Sequence, residues 1–559
     1  MRNGGQRSSV FGVARGLLVV AGLASLAGCD SGNDSGGSAG SAAAAVRRSA
    51  TPEECRNMVD NALAAAEPRR LGVTSDAAAI TTLLNQWRGE CGAADAAAAT
   101  DQRAVVERLF AEGAREDILS ERFPSHDAEQ LRDAILFRRV ARHIGRNAGD
   151  LERAVELFGW VARNVQLLAD DATLPATTPF HAVLFGQGRA EDRAWIFAEL
   201  LRQAQLDAVI VRLPNDSPDA GGDWLVGVPI DGKLSLFDVR LGIPVPSGDA
   251  AEGPFITRPA TFDEVIANPE LLDASWRRRG GTDAASARLA ETRIELIGTP
   301  SLWAPRMEAL QASLTGERFV VIHQPLAGAA DAPGLPERLA GLAGAAWRAE
   351  EIGVWPWSMR QWSSAENSDA LSDTARAALE KRLRHFDAPY TVLSGHGDVG
   401  FTFGWGHEHR DARLKHLAGD YDEAAADYLR RRVFRTSFPV NVPQTAEMTD
   451  AHDAAAEDSY FWISVALLEK ARDPRIDHEA RTAGLSETIG NLRGYLDAPS
   501  ASRWTDHARL LFAEALAMQG DLAGAIAVLE AIPADVPQHA EGAARLARWR
   551  TLSDARPMR

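Results

Sequence analysis

The sequence predicts an α+β fold: a helical N-terminal region, a core built on an antiparallel sheet, and an α-helical, repeat-like C-terminal domain. Three observations carry this reading. After Asp150, the residues Leu151, Val155, Phe158, Val161, Val165 and Leu168 recur at helical spacing as one apolar stripe. Further on, Trp224-Leu225-Val226-Gly227-Val228-Pro229-Ile230 and residues 234–238 are strand-like runs joined by Asp231-Gly232-Lys233, the composition of a tight hairpin. Beyond residue 345 the pattern turns helical again, with Gly and Ala where two helices can approach closely.

At 559 residues, 45% apolar and 25% charged, the chain is long enough for three or four globular domains. A net charge of −17 argues against nucleic acid as a partner, because phosphate binding needs clustered positive charge. Arg2, Arg7 and Arg15 form a basic start, residues 16–26 a short apolar run, and Leu26-Ala27-Gly28-Cys29 follows. This resembles the lipobox of bacterial lipoproteins, which implies a signal peptide over 1–28 and acylation at Cys29. An ordinary secretory signal with an incidental Cys is the alternative. Residues 29–50, rich in Gly, Ser and Ala, read as a flexible tether. The implied location is the cell envelope, lipid-anchored on the periplasmic side of the inner or outer membrane.

Residues 51–147 read as helical. Thr51-Pro52-Glu53-Glu54 places an N-cap Thr, a Pro at the first helical position and a capping-box Glu. A second helix is expected over 75–90, antiparallel to the first. That hairpin brings Cys55 and Cys91 together, so a disulfide is expected in an oxidising compartment, against two buried free thiols. Residues 103–113 and 127–146 continue as helices.

Within 148–250, Gly188-Arg189-Ala190-Glu191-Asp192-Arg193-Ala194 lies between two apolar runs, Val183-Leu184-Phe185 and Phe197-Ala198-Glu199-Leu200-Leu201. A strand over 207–213 and then the hairpin follow. This order and spacing resemble the transglutaminase-like superfamily, whose core is shared with papain-type cysteine proteases. In that family a Cys opens the helix, where backbone N–H groups and the helix dipole stabilise a thiolate. A His on the first hairpin strand is the base, and an Asp ending the second strand orients it. The matching residues here are Ala190, Asp223 and Asp238. With neither thiol nor imidazole, the resemblance implies a degenerate site without acyl-transfer chemistry.

Residues 251–345 are expected to form a mixed α/β extension: strands at 294–297 and 319–322, a helix over 302–314, and a linker or exposed loop over 326–345. Whether its strands join the core sheet stays open. Residues 346–559 are expected to be helical: 414–425 and 511–529 resemble the helix-turn-helix of tetratricopeptide repeats, and 460–472 is a further helix.

His396, Asp398, His407 and His409 form the densest group of metal-type ligands. The imidazoles of a His-x-His pair lie on different sides of a helix, so solvated or capping roles are expected, and neither metal nor cofactor. Val399, Phe401, Phe403 and Trp405 alternate with small residues, an extended segment whose aromatic face is buried in the core or lines a peptide groove. Glu191 and Asp192 read as dipole compensation in the first turn of the helix that Ala190 opens, rather than as an acid–base pair. The functional expectation is a non-catalytic, lipid-anchored scaffold that binds a peptide or protein. The competing reading is an envelope hydrolase with a relocated, metal-dependent site around residues 396–409.

Overall fold

The computed structural model describes residues 50–72, 77–91, 100–172, 178–213, 224–248, 253–272, 289, 291–328, 333–342, 345, 347–366, 372–386, 389–394, 401–405, 408–433, 445–498 and 502–555. Cys29, Asp223, His396, Asp398 and His407 lie outside the described residues, as do the leader and nearly all of the tether.

α1 (Pro52–Ala65) opens on a capping box: Thr51 Oγ1 accepts from Glu54 N at 3.2 Å, and Thr51 N donates to Glu54 Oε2 at 2.7 Å. It packs against α2 (Ala78–Cys91), and a disulfide joins Cys55 to Cys91 with their Cα atoms 5.8 Å apart. The single helix expected over 103–113 is instead two, α3 (Thr100–Leu109) and α4 (Glu112–Leu119). The break falls at Phe110, whose ring turns inward against Trp303, centroids 5.0 Å apart. α5 (Ser125–His143) ends before Arg146, and Gly145 follows in the left-handed region.

α6 (Asp150–Asn164) begins at Asp150, with Gly149 in the N-cap position. Its buried face is Ala154, Leu157, Phe158, Trp160 and Val161, while Leu151 and Val155 are only half-buried. The chain then forms β1 (Gln166–Leu167), α7 (Pro179–Phe185) and β2 (Gln187–Gly188), with β2 parallel to β1. α8 (Ala190–Gln203) leads into β3 (Val209–Arg212), β4 (Trp224–Ile230), β5 (Lys233–Asp238) and β6 (Ile243–Pro244). Asp231 and Gly232 close the β4–β5 hairpin with φ of 51° and 75°, the signs that a two-residue primed turn requires.

α9 (Phe262–Ala267), β7 (Arg293–Leu296), α10 (Pro300–Trp303) and α11 (Pro305–Ser313) come next. The helix expected over 302–314 is therefore broken, because Pro305 cannot continue it and instead starts a new one after extended Ala304. Residues 319–322 are not a strand. Side chains take the place of a ladder there: Val321 N donates to Gln203 Oε1 at 3.0 Å, and Ile322 N to Gln311 Oε1 at 2.7 Å. The expected linker contains α12 (Leu335–Ala340), whose Leu335 and Leu339 are buried.

The central sheet has the order β6-β5-β4-β3-β7-β8, where β8 is Gly353–Val354. It is mixed, not wholly antiparallel, because β8 runs parallel to β7. Strand β7 joins the core sheet, and β8 comes from a region expected to be helical. Alternation sends successive side chains to opposite faces. Ile210, Trp224, Val226 and Phe237 enter the core shared with α6 and α8, whereas Val209, Val211, Leu225 and Leu236 enter a second core with Phe262 and Trp303. Both faces are thus covered.

α13 (Pro356–Glu366) and α14 (Asp373–Phe386) follow, then a hairpin of β9 (Pro389–Ser394) and β10 (Phe401–Trp405), the second of which is the extended segment expected from the alternation at Phe401, Phe403 and Trp405. Beyond it are α15 (Glu408–Leu417), α16 (Tyr421–Val433), α17 (Ala446–Arg472), α18 (His478–Leu496), α19 (Thr505–Gln519), α20 (Leu522–Glu530) and α21 (Gln538–Ala555). Each of these packs on the next, and Gly419 and Gly520 make two of the turns at φ 89° and 95°.

Candidate functional site

The first turn of α8 and the end of β5 lie side by side. Ala190 is 1% exposed and opens the helix with a methyl group. Asp192 folds back on its own helix start, accepting from Arg189 N at 2.8 Å. Burial lifts its carboxyl to about 7, opposed by that hydrogen bond. Glu191 lies 3.7 Å from Arg240, two residues past the end of β5, and the Arg240 guanidinium sits 4.5 Å over the Trp224 ring. Asp238 is 1% exposed, and its Oδ1 accepts from Arg240 N at 3.0 Å and Leu241 N at 3.1 Å. It serves as an anchor for the turn after β5.

Arg193 lies three positions after Ala190 on α8. Its side chain is fully buried and donates to Val165 O at 2.8 Å and Val239 O at 3.1 Å, and it pairs with Glu541 at 3.1 Å. Glu541 comes from α21, which is docked over this region by further bonds. Gln538 Nε2 donates to Leu167 O at 2.6 Å, Arg545 Nη2 to Gly242 O at 3.1 Å, and Trp549 Nε1 to Pro254 O at 2.7 Å. Gly242 makes this fit possible: a Cβ there would lie 2.4 Å from Glu541 Oε2. Sequence reasoning missed the Arg193–Glu541 pair. The available signal was an arginine three residues after Ala190 on an otherwise apolar helix face.

Beside this pair is a cleft of about 600 Å³ between α6, β6, residues 254–256 and α21. Phe158, Phe255, Ile256 and Trp549 give it apolar walls. Four arginines (Arg163, Arg472, Arg545 and Arg548) line it against one carboxylate, Glu514. Arg163 is bonded to Glu469 at 2.7 Å, Arg472 to Glu514 at 3.1 Å and to Glu156 at 3.2 Å, and Arg545 lies 3.8 Å from Glu541, so carboxylates balance most of this positive charge.

His409 is in none of this. It is fully buried on α15, stacked on Trp462 with ring centroids 5.3 Å apart. Its Nδ1 is 3.4 Å from Ser459 Oγ and its Nε2 3.6 Å from Asp458 Oδ2, the constituents of a hydrolytic triad. No side chain of the three is exposed, and Asp458 already binds Arg382 at 2.6 Å, Arg503 at 2.9 Å and Trp504 Nε1 at 2.9 Å. Burial opposes ionisation of Asp458, but the two guanidiniums hold it well below the usual carboxylate range. This is a structural core. Among the described residues, no group of three or more His, Cys, Asp or Glu is arranged to hold a metal ion, and no helix is long and apolar enough to cross a membrane.

The chain matches no protein-family model, no curated protein and no solved structure. Function therefore rests on the chemistry of the site itself.

Proposed function

We propose that this chain is a lipid-anchored cell-envelope protein whose transglutaminase-like domain has lost its chemistry and serves as a peptide-binding scaffold. The observation that carries the reading is the buried methyl of Ala190, at the position where the resemblance calls for a thiol. The neighbouring cleft is the binding surface. Its aromatic walls favour an extended segment carrying an apolar side chain.

The test has two arms. Wild-type protein should not turn over glutamine- or peptide-based acyl donors, and any activity should appear first in the Ala190→Cys, Asp223→His double variant. Extended apolar peptides should bind the full chain, and Thr551→Trp, at an exposed position lining the cleft, should weaken binding at least tenfold. Robust wild-type turnover, or peptide affinity untouched by Thr551→Trp, would overturn the reading.

A further inference from the structure

A second cavity, of about 290 Å³, lies where the α5–α6 turn meets the end of α17, sharing Arg163 and Arg472 with the larger cleft. Its chemistry is different. Tyr421, at the start of α16, is 9% exposed, and its hydroxyl is buried without a hydrogen-bond partner. His143 ends α5 and makes a 2.9 Å bond from Nδ1 to Arg139 O, which fixes the proton on Nδ1. Nε2 is then a lone-pair acceptor, and it too is buried without a partner. The two rings meet edge-on with centroids 5.9 Å apart, so both polar side chains belong to one corner of the cavity.

That corner is built by the turn between α15 and α16. The His143 ring lies where a Cβ on Gly419 would fall, 2.9 Å away, so only glycine lets α16 bring Tyr421 this close. The cations of the lining are already committed. Arg163 is held by Glu469 at 2.7 Å, Arg472 by Glu156 at 3.2 Å and Glu514 at 3.1 Å, and Arg475 by Asp473 at 2.9 Å. Glu152, exposed on the first turn of α6, is the lining carboxylate that has no ion pair among the described residues. The groups left over are therefore acceptors and one negative charge. An anion would meet only the hydroxyl; a cation carrying N–H donors meets all three.

We propose that this cavity binds a small organic ammonium compound, which donates to His143 Nε2 and the Tyr421 hydroxyl and has its charge balanced by Glu152. Its size suits a compound of a few carbons, and the Tyr421 ring adds a face that attracts a cation. Nothing in this depends on the peptide-binding reading of the larger cleft. Ordered water is the rival occupant.

Ligand-observed NMR titration of the full chain with propylammonium, 1-propanol and propionate tests it. Propylammonium should bind saturably and at least tenfold more tightly than either size-matched control. Tyr421→Phe removes one acceptor and Glu152→Gln one charge, and each should weaken propylammonium at least fivefold. The Glu152 variant changes an exposed side chain, so it reads the site even if Tyr421→Phe folds poorly. Thr551→Trp in the larger cleft should leave propylammonium binding unchanged. Absence of saturable binding, which means a site for water only, would overturn the proposal. So would equal affinity for 1-propanol, or unchanged affinity in Glu152→Gln.

Discussion

Arg193, on the first turn of α8, and Glu541, on the last helix of the chain, meet at 3.1 Å with neither side chain exposed. The pair locks α21 over the segment that carries Ala190 and Asp238. Attraction between buried charges must offset a large loss of hydration, and removing one partner strands the other.

Glu541→Leu alone should therefore destabilise the protein by about 3–5 kcal/mol, whereas combining it with Arg193→Met should cost much less. Urea denaturation of the two single variants and the double variant gives the coupling between them. Additive losses would mean that the two charges do not interact across the helix packing.

Reduction of the Cys55–Cys91 bridge frees the chain between residues 36 positions apart. In the chain-entropy account this should lower stability by about 3–4 kcal/mol. Cys55→Ser under oxidising conditions should match the reduced wild type, and its loss of stability should vanish when both are compared with reductant present.

Asp192 predicts a pH dependence with a definite sign. Its folded carboxyl is lifted by burial to about 7, above its unfolded value near 3.8, so between roughly pH 4 and 7 the folded state holds the extra proton. Its contribution is greatest at low pH, falls as pH rises through that window, and is flat above it. Asp192→Asn keeps an acceptor for Arg189 N and removes the titration. Asp133, also lifted to about 7, titrates in both proteins and cancels in the comparison. The stability difference between variant and wild type should grow in the variant's favour, by on the order of a few kcal/mol, from pH 4 to 7.

Gly419 and Gly520 provide an internal control. Both have left-handed φ, 89° and 95°, but a Cβ on Gly419 meets the His143 ring at 2.9 Å, while one on Gly520 meets no atom within 4 Å. Gly520→Ala should cost only the backbone strain, about 1–2 kcal/mol. Gly419→Ala should cost at least about 1 kcal/mol more, because the ring must also move. Equal losses in thermal unfolding would show that the ring yields freely.

What the sequence determined by itself is what neighbouring residues decide among themselves. The Thr51–Glu54 capping box, the Asp231-Gly232 hairpin turn, and the glycines between paired C-terminal helices depend on backbone geometry within a few residues. Of the candidate site, Ala190 at the head of α8 and Asp238 at the end of β5 were legible for the same reason. Tertiary structure decided the rest. Residues 319–322 have strand-like composition, yet Gln203 and Gln311 satisfy the N–H groups of Val321 and Ile322 from other elements, so no ladder forms. Gly353–Val354 is too short to announce a strand and becomes one only because β7 presents a free edge beside it. His409 has the composition of a ligand but was placed by the apolar residues around it, stacked on Trp462 beneath the surface. Arg193 and Glu541 are charges that any local pattern would put in water. They are buried because two distant helices bring them within ion-pairing distance, where each compensates the other's lost hydration.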